Sequence, residues 1–333
     1  MPGEAQWGVM QLMTKVALYY YEAGMRQSEI AERLGLSQPT VSRLLARARA
    51  TGIVRTTVIP PAAVHSPLEE SLRETYALLD AVVVDDAAQG RDPATDLGAR
   101  AASYLQATLA SVPVLGVSSW SATLLGAASA LLPSRAAASA DESPAGVVGE
   151  GGDLIVQMMG GYGDPRVQAE AARLLTLLGE ALGAQPVTLP APAALASRAA
   201  RDALIADPAL ARVVGLWSQA SAALVGIGSV DPSPLLRESG NAWDADDRAE
   251  LIARGAVGDI CLRFIDESGA PVASSVDERV IGIDLDTFRS IPRRVAVAGG
   301  PTKVAAIRAA LRGGWVNVLV TDLSTARALL DSP

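Results

Sequence analysis

Between residues 9 and 20 apolar side chains recur every three or four positions: Val9, Leu12, Met13, Val16, Ala17 and Tyr20. That period puts them on one face of an amphipathic helix, which Gly24 breaks. The next stretch, RQSEIAERLGLSQPTVSRLLARARATG, carries two shorter helical patterns separated by Gly35. Ser28 is placed to cap a helix running to about Leu34. Ser37 is placed to cap a second helix with Pro39 in its first turn, where a missing N–H costs little. Ile30, Ala31, Leu34, Leu36, Val41, Leu44 and Leu45 supply the apolar seam between the two, so the spacing predicts a helix–turn–helix. The segment GIVRTTVIPP then predicts a strand, read as a wing, and Pro60 and Pro61 open a stiff linker.

Leu68 to Leu79 predicts another amphipathic helix, with Leu72, Tyr76 and Leu79 on one face. Beyond it the pattern changes to a continuous apolar run, a Gly- or Ser-rich turn, and then helical periodicity. VPVLGVSSWSATLLGAASALL, LIVQMMGGYGDPRVQAEAARLLTLLGEALG, AALVGIGSVDPSPLL and RVAVAGGPTKVAAIRAALRGG follow this plan, and VNVLVTD with STARALL closes the series. Apolar strands alternating with helices predict a parallel sheet covered on both faces, a doubly wound α/β domain. In such sheets ligands bind beyond the carboxyl ends of the strands, where these turns fall. The polar stretch 133–153 is expected to be a mobile loop. The domain division is therefore 1–58, a linker 59–67, and 68–333.

Composition adds limits. Half the residues are apolar, enough for a sizeable core, and with only two Phe that core must be built from Val, Leu, Ile and Ala. One cysteine excludes an intramolecular disulfide, and one histidine counts against His-based metal sites. No metal or cofactor is expected, and the usage fits a reducing cytoplasm. No basic start leads into a long apolar run, so no signal peptide is read. Residues 101–134 carry no charge, but Ser, Gly, Gln and Pro interrupt them, which argues against a membrane span.

Net charge is −8, yet residues 1–58 hold seven Lys/Arg against four Asp/Glu. A basic head precedes an acidic body. In a helix–turn–helix the first turn of the second helix meets base edges in the major groove. Ser37, Gln38, Thr40, Ser42 and Arg43 are the candidates there, with Arg47 extending the basic strip. Tyr19, Tyr20, Arg26 and Gln27 are candidates for backbone phosphates. An ordinary helical hairpin is the plainer alternative. The cap, the turn glycine, the polar first turn and the basic excess together favour DNA.

In the body, GVSSWSATL puts Gly116, Ser118, Ser119, Ser121 and Thr123 at a strand-to-helix turn. Hydroxyls and free N–H groups suit a phosphate there, and simple helix capping explains the serines equally well. Gly160 and Gly161 would let a ligand approach the backbone, with Asp164 and Gln168 as polar reach. Gly228 lies in the third turn. Asp259 precedes an apolar strand, and Gly299 and Gly300 precede Lys303. Lys303 and Lys15 are the chain's only lysines. A lysine early in a helix opposes the dipole, so an anionic counterpart would explain it, and arginine is no substitute for a compact amine. His65 reads as an exposed linker residue and Cys261 as a buried thiol. Trp120 reads as pocket lining, and Trp217 and Trp315 as core.

The stretches YYYEAGMRQSEIAERLGLSQPTVSRLLARARATGIV, LIVQMMGGYGDPRVQ, LVGIGS, GAVGDICLRF, DERVIGI and VAVAGGPTKVAAIRAALRGGWVNVLVTD together resemble the SorC family of sugar-responsive transcriptional regulators. They cover nearly the whole chain in the family's order. The resemblance implies a winged-type helix–turn–helix domain followed by a Rossmann-like effector domain of the sugar-phosphate isomerase and deaminase type. It also implies a phosphorylated sugar or polyol as effector and a homo-oligomer, a tetramer, on operator DNA. The phosphate would sit on the Ser118–Thr123 loop, with Asp259 and Lys303 facing the sugar. Two features depart from the family pattern: Trp120 with its extra serines, where many members have a Gly/Thr-rich turn, and the long 133–153 insert. The rival expectation is a sugar-phosphate isomerase or aldolase-like enzyme, with Lys303 as amine and Asp259 or Asp164 as acid and base. Against it, the sole histidine lies in the linker and no compact acid–base cluster is readable.

Overall fold

The computed structural model describes residues 4–54, 65–138, 152–161, 165–233, 237 and 243–331. The chain divides into two units, Met1–Pro60 and Pro61–Pro333.

In the first unit α1 (Glu4–Ala17) runs on through a π-helical turn at Leu18–Glu22. It is followed by α2 (Gln27–Leu34) and α3 (Gln38–Ala50). Val16, Ile30, Val41 and Leu45 are buried between them, with Leu34, Leu36 and Leu44 packed alongside. Gly35 closes α2 in the left-handed region at φ 65°, where glycine lacks the Cβ penalty. Ser37 caps α3, its Oγ accepting the Thr40 N–H at 3.4 Å. The start of α2 differs from the sequence expectation. Ser28 lies inside the helix, and the cap position is Arg26, whose N–H donates to Glu29 Oε2 at 2.8 Å. A glutamate at the third helical position reaching back supplies the acceptor that a Ser28 cap would have supplied. Val9 also stands apart from the core and is exposed. Of the proposed wing only Gly52, Ile53 and Val54 are described, as a turn and bend with Ile53 and Val54 packed against Met13, Ala17 and Ala48; the rest of it and most of the linker lie outside the described residues.

The second unit opens with α4 (Ser66–Thr75). It begins inside the span expected as linker and stops short of Leu79. Ala77, at φ 52°, turns the chain, so Leu79 leaves the helix and is exposed, while Leu72 is buried. His65 is not a free linker side chain: it occupies the cap position of α4, and its Nε2 lies 2.9 Å from Asp85 Oδ1.

The chain then runs β1 (Asp80–Val84), α5 (Pro93–Leu109), β2 (Val114–Val117), α6 (Ala122–Ala138), β3 (Leu154–Gln157), α7 (Pro165–Leu182) and β4 (Gln185–Val187). Next come α8 (Arg198–Ile205), α9 (Pro208–Trp217), β5 (Ala222–Val225), β6 (Gly228–Ser229), α10 (Ala245–Ala253), β7 (Ala256–Ile260) and β8 (Arg263–Asp266). It ends with α11 (Ser275–Arg279), α12 (Leu285–Ser290), β9 (Arg293–Val297), a 3₁₀ turn at Pro301–Lys303, α13 (Val304–Arg312), β10 (Val318–Asp322) and α14 (Leu323–Asp331).

Seven strands form a parallel sheet in the order β1-β10-β9-β5-β2-β3-β4. Strand side chains alternate between two buried layers. Leu115, Val117, Leu224, Val295, Val297, Val318 and Val320 join α5, α6 and α7 on one face. Ala81, Val83, Ala223, Val225, Ala296 and Leu319 join α9, α13 and α14 on the other. Burial on both faces is why these strands read as unbroken apolar runs. The uncharged stretch 101–134 resolves into the end of α5, β2 and the start of α6. Among the described residues no helix is long and apolar enough to cross a membrane.

A second, antiparallel sheet of β6, β7 and β8 was not anticipated. Its strands are short, and its tight turn at Cys261 and Leu262, at φ 53° and 62°, carries neither Gly nor Asn to mark it in the sequence.

Candidate functional site

In the first unit the start of α3 assembles the polar residues that the sequence grouped. Ser37 Oγ and Thr40 Oγ1 lie 2.8 Å apart, and Arg43 donates to Thr40 Oγ1 at 3.3 Å. Gln38 and Ser42 are exposed. The π-helical turn carries three tyrosines, two of which meet arginines of α2 and α3. The Arg33 guanidinium lies 4.9 Å over the Tyr19 ring, and Arg49 donates to the Tyr21 hydroxyl at 2.7 Å. The sequence marks neither Tyr21 nor Arg33, because the contacts Tyr19–Arg33 and Tyr21–Arg49 join side chains of different helices.

In the second unit β2 has β3 on one side and β5 on the other. The chain leaves β2 toward β3 and β4, then returns to β5, which makes this the point where the winding reverses. The carboxyl ends of β2 and β5 therefore flank the crevice in which such sheets bind ligands. The turns after β2, β3, β5 and β9 meet around it.

The hydroxyls after β2 are mostly committed. Ser118, Ser119 and Thr123 are buried. Ser118 Oγ accepts the Gly226 N–H at 3.0 Å, tying the β2 turn to the β5 turn. Ser119 Oγ accepts from Gln157 Nε2 at 2.9 Å, and the Gln157 carbonyl oxygen takes the Leu189 N–H. Ser121 Oγ accepts the Leu124 N–H at 3.3 Å and so caps the start of α6. With the Leu124 N–H taken by Ser121, what this turn can offer an anion is the remaining first-turn N–H groups of α6, which have no partner within the helix.

Gly160 and Gly161 are glycine because of packing. Their N–H groups donate to Ile281 O and Ala191 O, each at 2.8 Å. A Cβ on Gly161 would lie 2.6 Å from the Trp120 indole. The Trp120 Nε1–H donates to Gly160 O at 3.0 Å. Trp120 thus bridges the turns after β2 and β3. Gly116 makes room for Met158 in the same way. Asp164 lies outside the described residues, as does the side chain of Gln168. Trp217 and Trp315 are core residues, and their Nε1–H groups donate to Gln157 O and Gly269 O. Cys261 is buried and its thiol is pushed up by burial, then by the Asp259 charge.

Asp259, Gly228 and Lys303 come together. Gly228 pairs with Asp259 across the small sheet, and a Cβ there would lie 1.9 Å from Asp259 Oδ1. Gly258 lets α13 close on β7, since a Cβ at 258 would meet the Ala306 methyl at 2.4 Å. That approach sets Lys303, at the head of α13, in the field of Asp259. Asp259 Oδ2 accepts the Leu262 N–H at 2.9 Å. Burial pushes the Asp259 carboxyl up to about 6, opposed by the Leu262 N–H and the Lys303 charge. Burial likewise lowers the half-buried Lys303 amine, with Asp259 opposing. Among the described residues Lys303 has no ion pair within 4.0 Å. A partly desolvated amine without a close counter-ion, beside a buried carboxyl, can take an anionic, hydroxyl-bearing ligand. Among the described residues no His, Cys, Asp and Glu group could hold a metal ion.

Comparison with known proteins follows the same division. Residues 149–331 match the family model "Putative sugar-binding domain", and residues 16–62 match a MarR family model. The chain is similar to the deoxyribonucleoside regulator of Bacillus subtilis, with 34% identity over 322 residues, 96% of this chain and 97% of that one. It is similar to the transcriptional regulator LsrR of Klebsiella pneumoniae, with 32% identity over 96% of this chain and 93% of that one. Among solved structures, the full-length sorbitol operon regulator SorC from Klebsiella pneumoniae aligns with a TM-score of 0.67 at 26% identity, over 96% of this chain and 98% of that one.

Proposed function

The chain belongs to the SorC family of sugar-binding transcriptional regulators, and from that premise we propose that its β2/β5 crevice binds a phosphorylated sugar or polyol that alters the grip of its helix–turn–helix on operator DNA. The observation that carries this reading is the buried Asp259 carboxyl with the partly desolvated Lys303 amine in its field, brought there by the Gly228–Asp259 register and the close approach of α13 over Gly258. The amine and the α6 N–H groups suit a phosphate, and the carboxyl suits hydroxyls. Two relatives are named for deoxyribonucleosides and for sorbitol, and we take one phosphorylated sugar of each kind, a deoxypentose phosphate and a hexitol phosphate, as the effector classes to test. Ser37, Gln38, Thr40, Ser42, Arg43 and Arg47 are proposed to meet base edges and phosphates, with Tyr19, Tyr20, Arg26 and Gln27 on the backbone. We place the protein in the cytoplasm as a homo-oligomer, and read the crevice as a binding site without turnover.

A thermal-shift titration of the full chain with 2-deoxyribose 5-phosphate and glucitol 6-phosphate tests the crevice. At 100 times its dissociation constant a ligand adds about 2.7 kcal/mol of stability. The expected outcome is a shift in the parent that Lys303→Ala removes. An equal shift in both would place the ligand elsewhere, and conversion of either compound would favour the enzyme reading.

A further inference from the structure

Lys303 hangs from a turn whose shape is set by a neighbouring strand. Asp322 ends β10, beside β9 in the sheet. Its Oδ1 accepts the Thr325 N–H at 2.7 Å, which caps α14. Its Oδ2 does different work, accepting the Gly300 N–H at 2.8 Å and the Thr325 hydroxyl at 3.0 Å. Thr325 Oγ1 accepts the same Gly300 N–H at 2.8 Å. One backbone N–H is thus shared by a carboxylate and a hydroxyl, and that hydroxyl belongs to a buried threonine.

The approach is possible only because residue 299 is glycine, since a Cβ there would lie 2.0 Å from Asp322 Oδ2. Gly300 has φ 97°, a conformation that other residues reach only under strain. Its carbonyl accepts the Lys303 N–H at 3.1 Å, closing the 3₁₀ turn. Asp322 and Thr325 therefore fix the residue from which the Lys303 backbone is bonded, without touching the amine. An N-cap alone would need only Oδ1; the second oxygen is aimed at the effector turn.

We propose that Asp322 and Thr325 are positioning residues of the effector site, which hold Gly300 so that the Lys303 amine faces the crevice and thereby set effector affinity. This rests on the reading of Lys303 as an effector contact. A carboxylate–N–H bond in such a turn has an energy that corresponds to roughly tenfold in binding.

The test measures binding of 2-deoxyribose 5-phosphate and glucitol 6-phosphate to the full chain by calorimetry, with inorganic phosphate as control. The variants are Asp322→Asn, Thr325→Val, Thr325→Ser and Lys303→Ala. Asp322→Asn keeps an oxygen for the Thr325 N–H, so α14 stays capped, while its amide opposes the Gly300 N–H. The expected result is binding of the better sugar phosphate weakened about tenfold in Asp322→Asn and Thr325→Val. Thr325→Ser should bind and melt like the parent, whereas Asp322→Asn and Thr325→Val should lose some unliganded stability along with affinity. Hydrogen exchange at Gly300 should quicken in the two weakened variants. If both bind like the parent while Lys303→Ala fails to bind, the positioning role is overturned and the site reading stands. If Lys303→Ala binds like the parent, or neither compound binds the parent, the site reading falls and takes this inference with it.

Discussion

Asp259 and Lys303 show how much of the proposed effector site one sequence can display. Both were visible as polar residues placed against glycine and apolar runs, and Lys303 as one of only two lysines. Their shared environment was not visible, because it depends on Gly228 and Gly258 admitting a carboxyl and a helix. The hydroxyl cluster after β2 was legible in its composition and not in its use. Ser118 and Ser119 hold neighbouring turns, and their partners, Gly226 and Gln157, are far along the chain. Asp259 gives a pH prediction. Its folded value of about 6 exceeds the ordinary 3.8, so the folded state holds a proton that the unfolded state releases. The corresponding stability is fully present below about pH 3.8 and is lost as pH rises through 6. The difference is on the order of 3 kcal/mol. In Asp259→Asn, which keeps an acceptor for the Leu262 N–H, chemical denaturation should show a flatter stability profile between pH 4 and 7 than in the parent. Parallel profiles would mean that the carboxyl is not held in a desolvated site.

Among the elements, the long periodic ones were the easiest to read. The capped α3, the turn at Gly35 and the parallel strands of the main sheet follow from period, cap and turn residues. Helix starts were harder. The Glu29 back-bond moved the start of α2 ahead of Ser28, and Ala77 ended α4 before Leu79. The β6-β7-β8 sheet escaped notice because its turn residues, Cys261 and Leu262, contradict local preference. Asp259 and buried packing hold that turn, which makes the small sheet sensitive to its glycines. Gly228→Ala would drive a methyl into Asp259 Oδ1. We expect a loss of about 1–3 kcal/mol of stability in urea unfolding, with effector binding lost as well. An unchanged midpoint with intact binding would show that the two strands can separate at no cost.

For the molecule as a whole, the charge division matters more than the sum. A basic unit of about sixty residues precedes an acidic one, so attraction to DNA is confined to the head. The proposed effector site and the proposed DNA-reading helix then lie in different units, and communication between them would be a coupling free energy, equal in both directions. The most direct measurement is a fluorescence-anisotropy titration of the full chain against DNA from its own promoter region. It is run with and without the sugar phosphate that stabilises the protein, and repeated with Lys303→Ala and Arg43→Ala. The account predicts specific binding by the parent, a change in affinity of roughly 5- to 150-fold when the sugar phosphate is added, and bare operator affinity retained but unresponsive in Lys303→Ala. Arg43→Ala should bind more weakly by about 1–3 kcal/mol. Operator affinity that is indistinguishable from random DNA, or that ignores the bound sugar phosphate, would contradict it.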